Sequence, residues 1–106
     1  MENKTSISNA FMTFMKEAPD HAAAWGEMVQ KMGKSHALDA KTTALVYVGV
    51  LAALRIESGI PFHVKSAKAA GATRDEVISA VMVGMPAAGH VVTQVLPAAV
   101  ASYDEE

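Results

Sequence analysis

An all-α fold is what this sequence predicts, a compact bundle of about six helices assembled with other copies of itself. Three observations carry that reading. Apolar residues recur at helical spacing along the whole chain. Residues that start helices (Ser8, Pro19, Asp39, Pro61, Thr73) stand just ahead of each apolar stretch. Hydrophobic residues make up 51% of the 106 positions and charged ones only 19%. A chain this short buries roughly 65% of its unfolded surface, so the apolar excess is accommodated best by burial between copies.

The first helix follows Ser8, whose hydroxyl can accept from a free amide of the opening turn. It carries Phe11, Phe14 and Met15 at i, i+3, i+4 and ends near Ala18. Pro19 suits the first turn of a second helix, where the N–H it lacks has no partner. Trp25, Met28, Val29 and Met32 form that helix's apolar stripe, read as core packing, and Gly33 is expected to stop it. Asp39 caps a third helix over 40–56. Its stretch 44–54 is apolar on every side, so this helix is expected to be central and fully enclosed. Val46-Tyr-Val-Gly-Val50 is β-rich, but the run around it is too long and too Ala-rich for a strand.

Ser58 and Gly59 break the pattern; Pro61 then opens a fourth helix that runs to Ala70 and is closed by Gly71. Thr73-Arg-Asp-Glu76 is a capping box that launches a fifth helix through Val77, Ile78, Val81, Met82 and Met85. Pro86 and Gly89 interrupt it. A last helix over 90–103 carries Val91, Val95 and Leu96, is expected to kink at Pro97, and leaves Asp104-Glu-Glu106 as a frayed acidic end. No linker divides the chain, so a single domain over 1–106 is expected.

Composition removes several function classes. The net charge of −2 offers no basic field for a nucleic acid. With no cysteine there is no disulfide, thiolate metal site or thiol redox chemistry. Met1-Glu-Asn-Lys-Thr-Ser lacks the basic-then-apolar layout of a signal peptide, and the run 44–54 is far shorter than the roughly 18 residues of a membrane helix. A soluble, cytoplasmic protein is expected. No His-x-x-x-His or His–carboxylate spacing suggests a metal, and Gly84-Met-Pro-Ala-Ala-Gly89 lacks the Lys-Ser/Thr of a phosphate loop.

Two stretches carry a resemblance. Leu38-Asp-Ala-Lys-Thr-Thr-Ala-Leu-Val46, followed by Phe62-His63-Val-Lys-Ser-Ala-Lys-Ala-Ala-Gly71-Ala-Thr-Arg-Asp-Glu76-Val77, resembles the carboxymuconolactone decarboxylase and alkylhydroperoxidase D-like family. The likeness covers about residues 38–100. It implies an all-helical alkylhydroperoxidase D-like fold that assembles into homo-trimers or hexamers. In the family's peroxidase branch a Cys-x-x-Cys-x-x-x-His motif does the chemistry with a relay Glu. Here Ile56 and Gly59 hold the cysteine positions and Ala44 the Glu position, so only His63 remains. A cysteine peroxidase is excluded, because the nucleophile is a thiolate.

The decarboxylase branch has no such cysteines and centres on a His, matched by His63. The resemblance then implies a cofactor-independent carboxy-lyase acting on a small carboxylated lactone, with His63 as general acid/base. Glu57 and His90 are candidate pocket partners, although the branch often carries acidic residues where Ser58 and Gly59 stand and an apolar or aromatic residue at the position of His90. Arg55 and Lys65 are candidate cations for the substrate carboxylate. The competing expectation is an oligomeric scaffold or small-ligand-binding protein that kept the fold and lost the chemistry. A solvent-reachable pocket joining His63, His90 and a carboxylate would mark the enzyme, and a dry apolar surround the scaffold.

Overall fold

Residues 6–105, which the computed structural model describes, fold into seven α-helices and two short 3₁₀ segments, with no strand among them. Residues 1–5, on which the signal-peptide reading rests, and Glu106 lie outside the described part. The all-α expectation holds. The chain divides into two compact units, one ending at Leu38 and one starting at Asp39. No helix among the described residues is long and apolar enough to cross a membrane.

The first unit is a pair of helices, α1 (Asn9–Glu17) and α2 (Pro19–Ser35). The Ser8 hydroxyl accepts from the Phe11 amide at 3.1 Å, and Pro19 occupies the first turn of α2. Phe11 and Phe14 meet Trp25 edge-on, with ring centroids 5.2 and 6.3 Å away, the geometry aromatic quadrupoles favour. Two expectations fail here. Gly33 does not stop α2, which continues to Ser35; a glycine weakens a helix by about 1 kcal/mol but ends it only where the chain changes region, here at extended His36. Trp25, Met28, Val29 and Met32 are all exposed, not core.

The second unit contains α3 (Ala40–Leu54), α4 (Ile60–Ala69), α5 (Arg74–Met82), α6 (Met85–Ala88) and α7 (Leu96–Asp104), with 3₁₀ segments at Glu57–Gly59 and His90–Val95. Asp39 caps α3 by accepting from the Thr42 amide at 2.7 Å, which holds its carboxyl below the ordinary value. The helix ends earlier than expected because Arg55 takes a left-handed conformation (φ 61°). The Ile56 amide then donates to the Leu51 carbonyl at 2.9 Å and the Arg55 amide to Ala52 at 3.2 Å, closing a Schellman cap. Helix α4 ends in the same way with the residue type that suits it: Gly71 has φ 102°, the Ala72 amide donates to Ala67 at 2.9 Å, and Gly71 donates to Lys68 at 3.0 Å.

The capping box forms as expected, with the Thr73 amide donating to Glu76 Oε1 at 2.9 Å and the Glu76 amide to Thr73 Oγ1 at 3.1 Å. Glu76 also pairs with Lys41 of α3 at 3.0 Å. The single kinked helix expected over 90–103 is replaced by the 3₁₀ segment followed by α7, with Pro97 in α7's first turn. Placed there, the proline breaks no interior hydrogen bond. The acidic end is not frayed as far as Glu105. Asp104 accepts a two-point contact from Arg74 at 2.9 and 3.1 Å, Glu105 pairs with Lys65, and Lys68 donates to the Tyr103 carbonyl at 2.7 Å. The Tyr103 hydroxyl donates to the Ala72 carbonyl at 2.7 Å.

The core of this unit is made of small and β-branched side chains. Val48, Leu51 and Ala52 of α3 meet Ile60, Val64 and Ala67 of α4, Val77 and Val81 of α5, and Val92, Val95 and Ala99. Side chains this short bring the helix backbones close together. At Gly49 the approach is close, since an added Cβ would lie 3.0 Å from the Ala80 carbonyl oxygen on α5. The expected enclosure of α3 does not occur. Val46, Val50 and Leu54 expose 52, 47 and 61% of their surface, because the neighbouring helices cover one face of α3 only.

Two substitutions test these constraints by denaturant unfolding. Gly49→Ala presses a methyl against α5 backbone that has no rotamer to yield, and should cost about 1–3 kcal/mol. Arg55→Gly relieves the left-handed residue at the α3 cap and should raise stability by up to about 1 kcal/mol.

Candidate functional site

The turn between α3 and α4 makes the two helices an antiparallel hairpin, and that register selects the neighbours of His63. Nearest the turn, Leu51 packs where a Gly59 side chain would be: its methyls lie 3.3 Å from the Cβ position. One helical turn further along each helix, Tyr47 of α3 meets His63 of α4. Their rings stack with centroids 4.1 Å apart and planes inclined by 21°. Phe62 approaches the same imidazole edge-on at 5.0 Å. The Cδ2 edge of His63 faces Gly59, at 3.9 Å from its Cβ position.

His63 is half-buried, and that desolvation pulls its pKa below the ordinary 6.5. No ion pair or hydrogen bond joins it to another described residue, yet no buried polar side-chain atom in the described structure is left without a partner. Neither imidazole nitrogen is therefore fully buried, while Tyr47 stacks on the ring and Phe62 meets it at a steep angle. The result is an imidazole whose charged form is disfavoured by desolvation, stacked against Tyr47 and without a hydrogen bond to any described residue.

The other expected site residues do not join it within one chain. Glu57 lies exposed in the 3₁₀ turn and makes no ion pair with His63. His90 is exposed at the start of the second 3₁₀ segment, where its Nδ1 lies 3.5 Å from the Thr93 hydroxyl; that hydroxyl donates to the His90 carbonyl at 2.9 Å. Arg55 is the exposed left-handed cap of α3 and pairs with no described carboxylate. Lys65, half-buried, is engaged by Glu105. Ala44, at the relay-Glu position, packs against the core. Among the described residues no three His, Asp or Glu side chains converge as a metal site would require. The surround of His63 is thus neither the polar pocket nor the dry enclosure set out as alternatives.

Tyr47 and Phe62 were missed by sequence reasoning. The signal was present for Tyr47. It is the sole residue with a polar group in the run 44–54, and a tyrosine among aliphatic residues usually keeps its hydroxyl wet.

A family model described as the carboxymuconolactone decarboxylase family matches residues 19–101, from the start of α2 into α7. No match was found among curated proteins or among solved structures.

The lowered His63 pKa has a consequence for stability. The unfolded chain takes up this proton near pH 6.5 and the folded chain only at lower pH. Stability from the neutral imidazole is therefore complete above 6.5 and falls as pH drops through the folded midpoint. Urea unfolding between about pH 7.5 and 5 should show a steeper loss for the parent than for His63→Gln, since the depressed carboxyls of Asp39, Glu76 and Asp104 titrate below that window. Equal slopes would mean that burial of His63 is not linked to its protonation.

Proposed function

The chain belongs to the carboxymuconolactone decarboxylase family, and from that premise we propose that it is a cofactor-independent lyase acting on a small carboxylated lactone, with His63 as general acid/base. The observation that supports this reading most is the environment of His63: half-buried among aromatic rings, without an internal partner, neither nitrogen fully buried. Peroxide chemistry through cysteine is absent, because the chain has no cysteine.

In the proposed reaction the bond between the substrate carbon and its carboxylate breaks. Carbon dioxide leaves, and the bonding electron pair stays on carbon, delocalised into the conjugated lactone carbonyl. His63 delivers a proton to that carbon and regains one from solvent, which nitrogens that are not fully buried permit. Desolvation makes the imidazolium a stronger acid than a free histidine, which suits protonation of carbon. An approaching substrate carboxylate supplies the negative charge that the site lacks and favours loading of that proton. Arg55, which pairs with no described carboxylate, is the cation left to attract the anion, whereas Lys65 must first leave Glu105. Glu57 and His90 belong to this reading as groups at the rim, not as partners touching His63.

A second copy of the chain completes the site in this proposal. Val46, Val50 and Leu54 lie exposed on α3, as Tyr47 does, and Phe62 of α4 is exposed as well. Burying such a face between copies removes apolar surface from water and walls off the imidazole. The reading therefore includes a homo-oligomer, the trimer or hexamer that the family resemblance implies.

Carboxymuconolactone loss and carbon dioxide release, followed with the purified chain and with His63→Ala, test the lyase. Turnover by the parent should fall at least roughly a hundredfold in the variant. An inactive parent that is folded and oligomeric would remove this substrate. Light scattering on Val50→Glu tests the assembly: the variant should dissociate to smaller species, and an unchanged mass would place the interface elsewhere.

A further inference from the structure

We propose that Tyr47 is the positioning residue of His63: its ring, stacked on the imidazole from the neighbouring helix, sets the rotamer and the dry face of that side chain. The inference deepens the lyase reading and takes its functional meaning from it, but the geometry stands without turnover. Three observations carry it. The stack is close and nearly parallel, 4.1 Å and 21°. The hairpin register places the two residues one turn beyond the Leu51–Gly59 contact, so the pairing is built into the core packing and not left to a mobile loop. The imidazole has no hydrogen bond within the described structure to orient it, so ring contacts are what hold it. A histidine that must present a nitrogen to a ligand is usually steered by a hydrogen bond to its other nitrogen; here stacking takes that part.

Tyr47 is not needed as core. Apart from Ser102, the buried side chains of the second unit are aliphatic, and Tyr47 itself is exposed at 44%. Its hydroxyl makes no hydrogen bond to a described residue, so the contact it does make is with the imidazole face.

Charged groups near the pair do not explain the behaviour of His63. On α3, Lys41 pairs with Glu76, and Arg55 lies beyond the helix end. In the turn, Glu57 is exposed and forms no pair with His63. On α4, Lys65 pairs with Glu105, and Lys68 donates to the Tyr103 carbonyl. From α7, Asp104 is taken by Arg74. The downward displacement of the imidazole pKa is attributed to burial alone, and Tyr47 covers a ring face directly.

The test is a proton and nitrogen NMR titration of the histidine side chains in the intact protein, with Tyr47→Phe and Tyr47→Leu beside the parent. In the parent, the ring protons of His63 should be shifted upfield by the stacked phenol, and its midpoint should lie below 6.5. Tyr47→Phe keeps the ring and should leave both signatures in place. Tyr47→Leu should abolish the upfield shift and raise the His63 midpoint towards 6.5, with His21, His36 and His90 unmoved. A parent spectrum without the upfield shift overturns the stack, whether or not Tyr47→Leu folds. A Tyr47→Phe spectrum as altered as that of Tyr47→Leu would move the role from the ring to the hydroxyl and overturn the proposal. An inactive parent with the expected titrations would sink the lyase reading while leaving the positioning role intact.

Discussion

Helix α3 approaches α5 closely at Gly49 and the α3–α4 turn closely at Gly59, the two tightest glycine contacts of the second unit. At both points the room for a side chain is tight: one faces the backbone carbonyl of Ala80 at 3.0 Å, the other the methyls of Leu51 at 3.3 Å. Backbones this close are compatible only with short side chains between them, which is why the core is largely Val and Ala with a single Ile and a single Leu. The cost of that arrangement is one-sided coverage. A helix apolar all round presents its second face outward, and the other helices of the second unit leave it uncovered.

The same register sets the surroundings of His63. The family's thiol route asks for nucleophiles in the turn just before α4, where this chain has Ile56 and Gly59. Gly59 is occupied with packing: its missing side chain is the space that Leu51 uses. The turn closes the hairpin, and His63 stands on α4, where burial lowers its pKa. A lone imidazole in an aromatic setting suits proton transfer to or from carbon, which needs a single group of adjustable acidity and no covalent intermediate.

Electrostatics in this unit hold the chain end. Lys65, Lys68 and Arg74 converge on Tyr103, Asp104 and Glu105, and Lys68 also lies 4.8 Å above the Tyr103 ring. Exposed pairs of this kind each contribute little and weaken with salt. Their joint effect is local: they occupy cations that sequence proximity alone would assign to a substrate, and Lys65 is the clearest case.

Much of the fold was legible because it depends on nearest neighbours along the chain. Ser8, Asp39 and the Thr73–Glu76 box cap the helices they precede, Pro19 and Pro61 sit in first turns, and Gly71 closes α4, since each acts on amides or carbonyls within a few residues. His63 was legible through its motif. What the sequence could not show depends on groups that meet from distant positions. Arg55 carries no mark of a left-handed cap, because that conformation is imposed by the turn that joins two packed helices. Tyr47 read as one more apolar residue in a long run; only the register of α3 against α4 places it over His63. The sequence by itself determined that the chain is helical, where most helices start, and that thiol chemistry is absent. The tertiary structure alone decided which face of α3 is covered and which side chains surround the imidazole, because both depend on how closely two backbones approach.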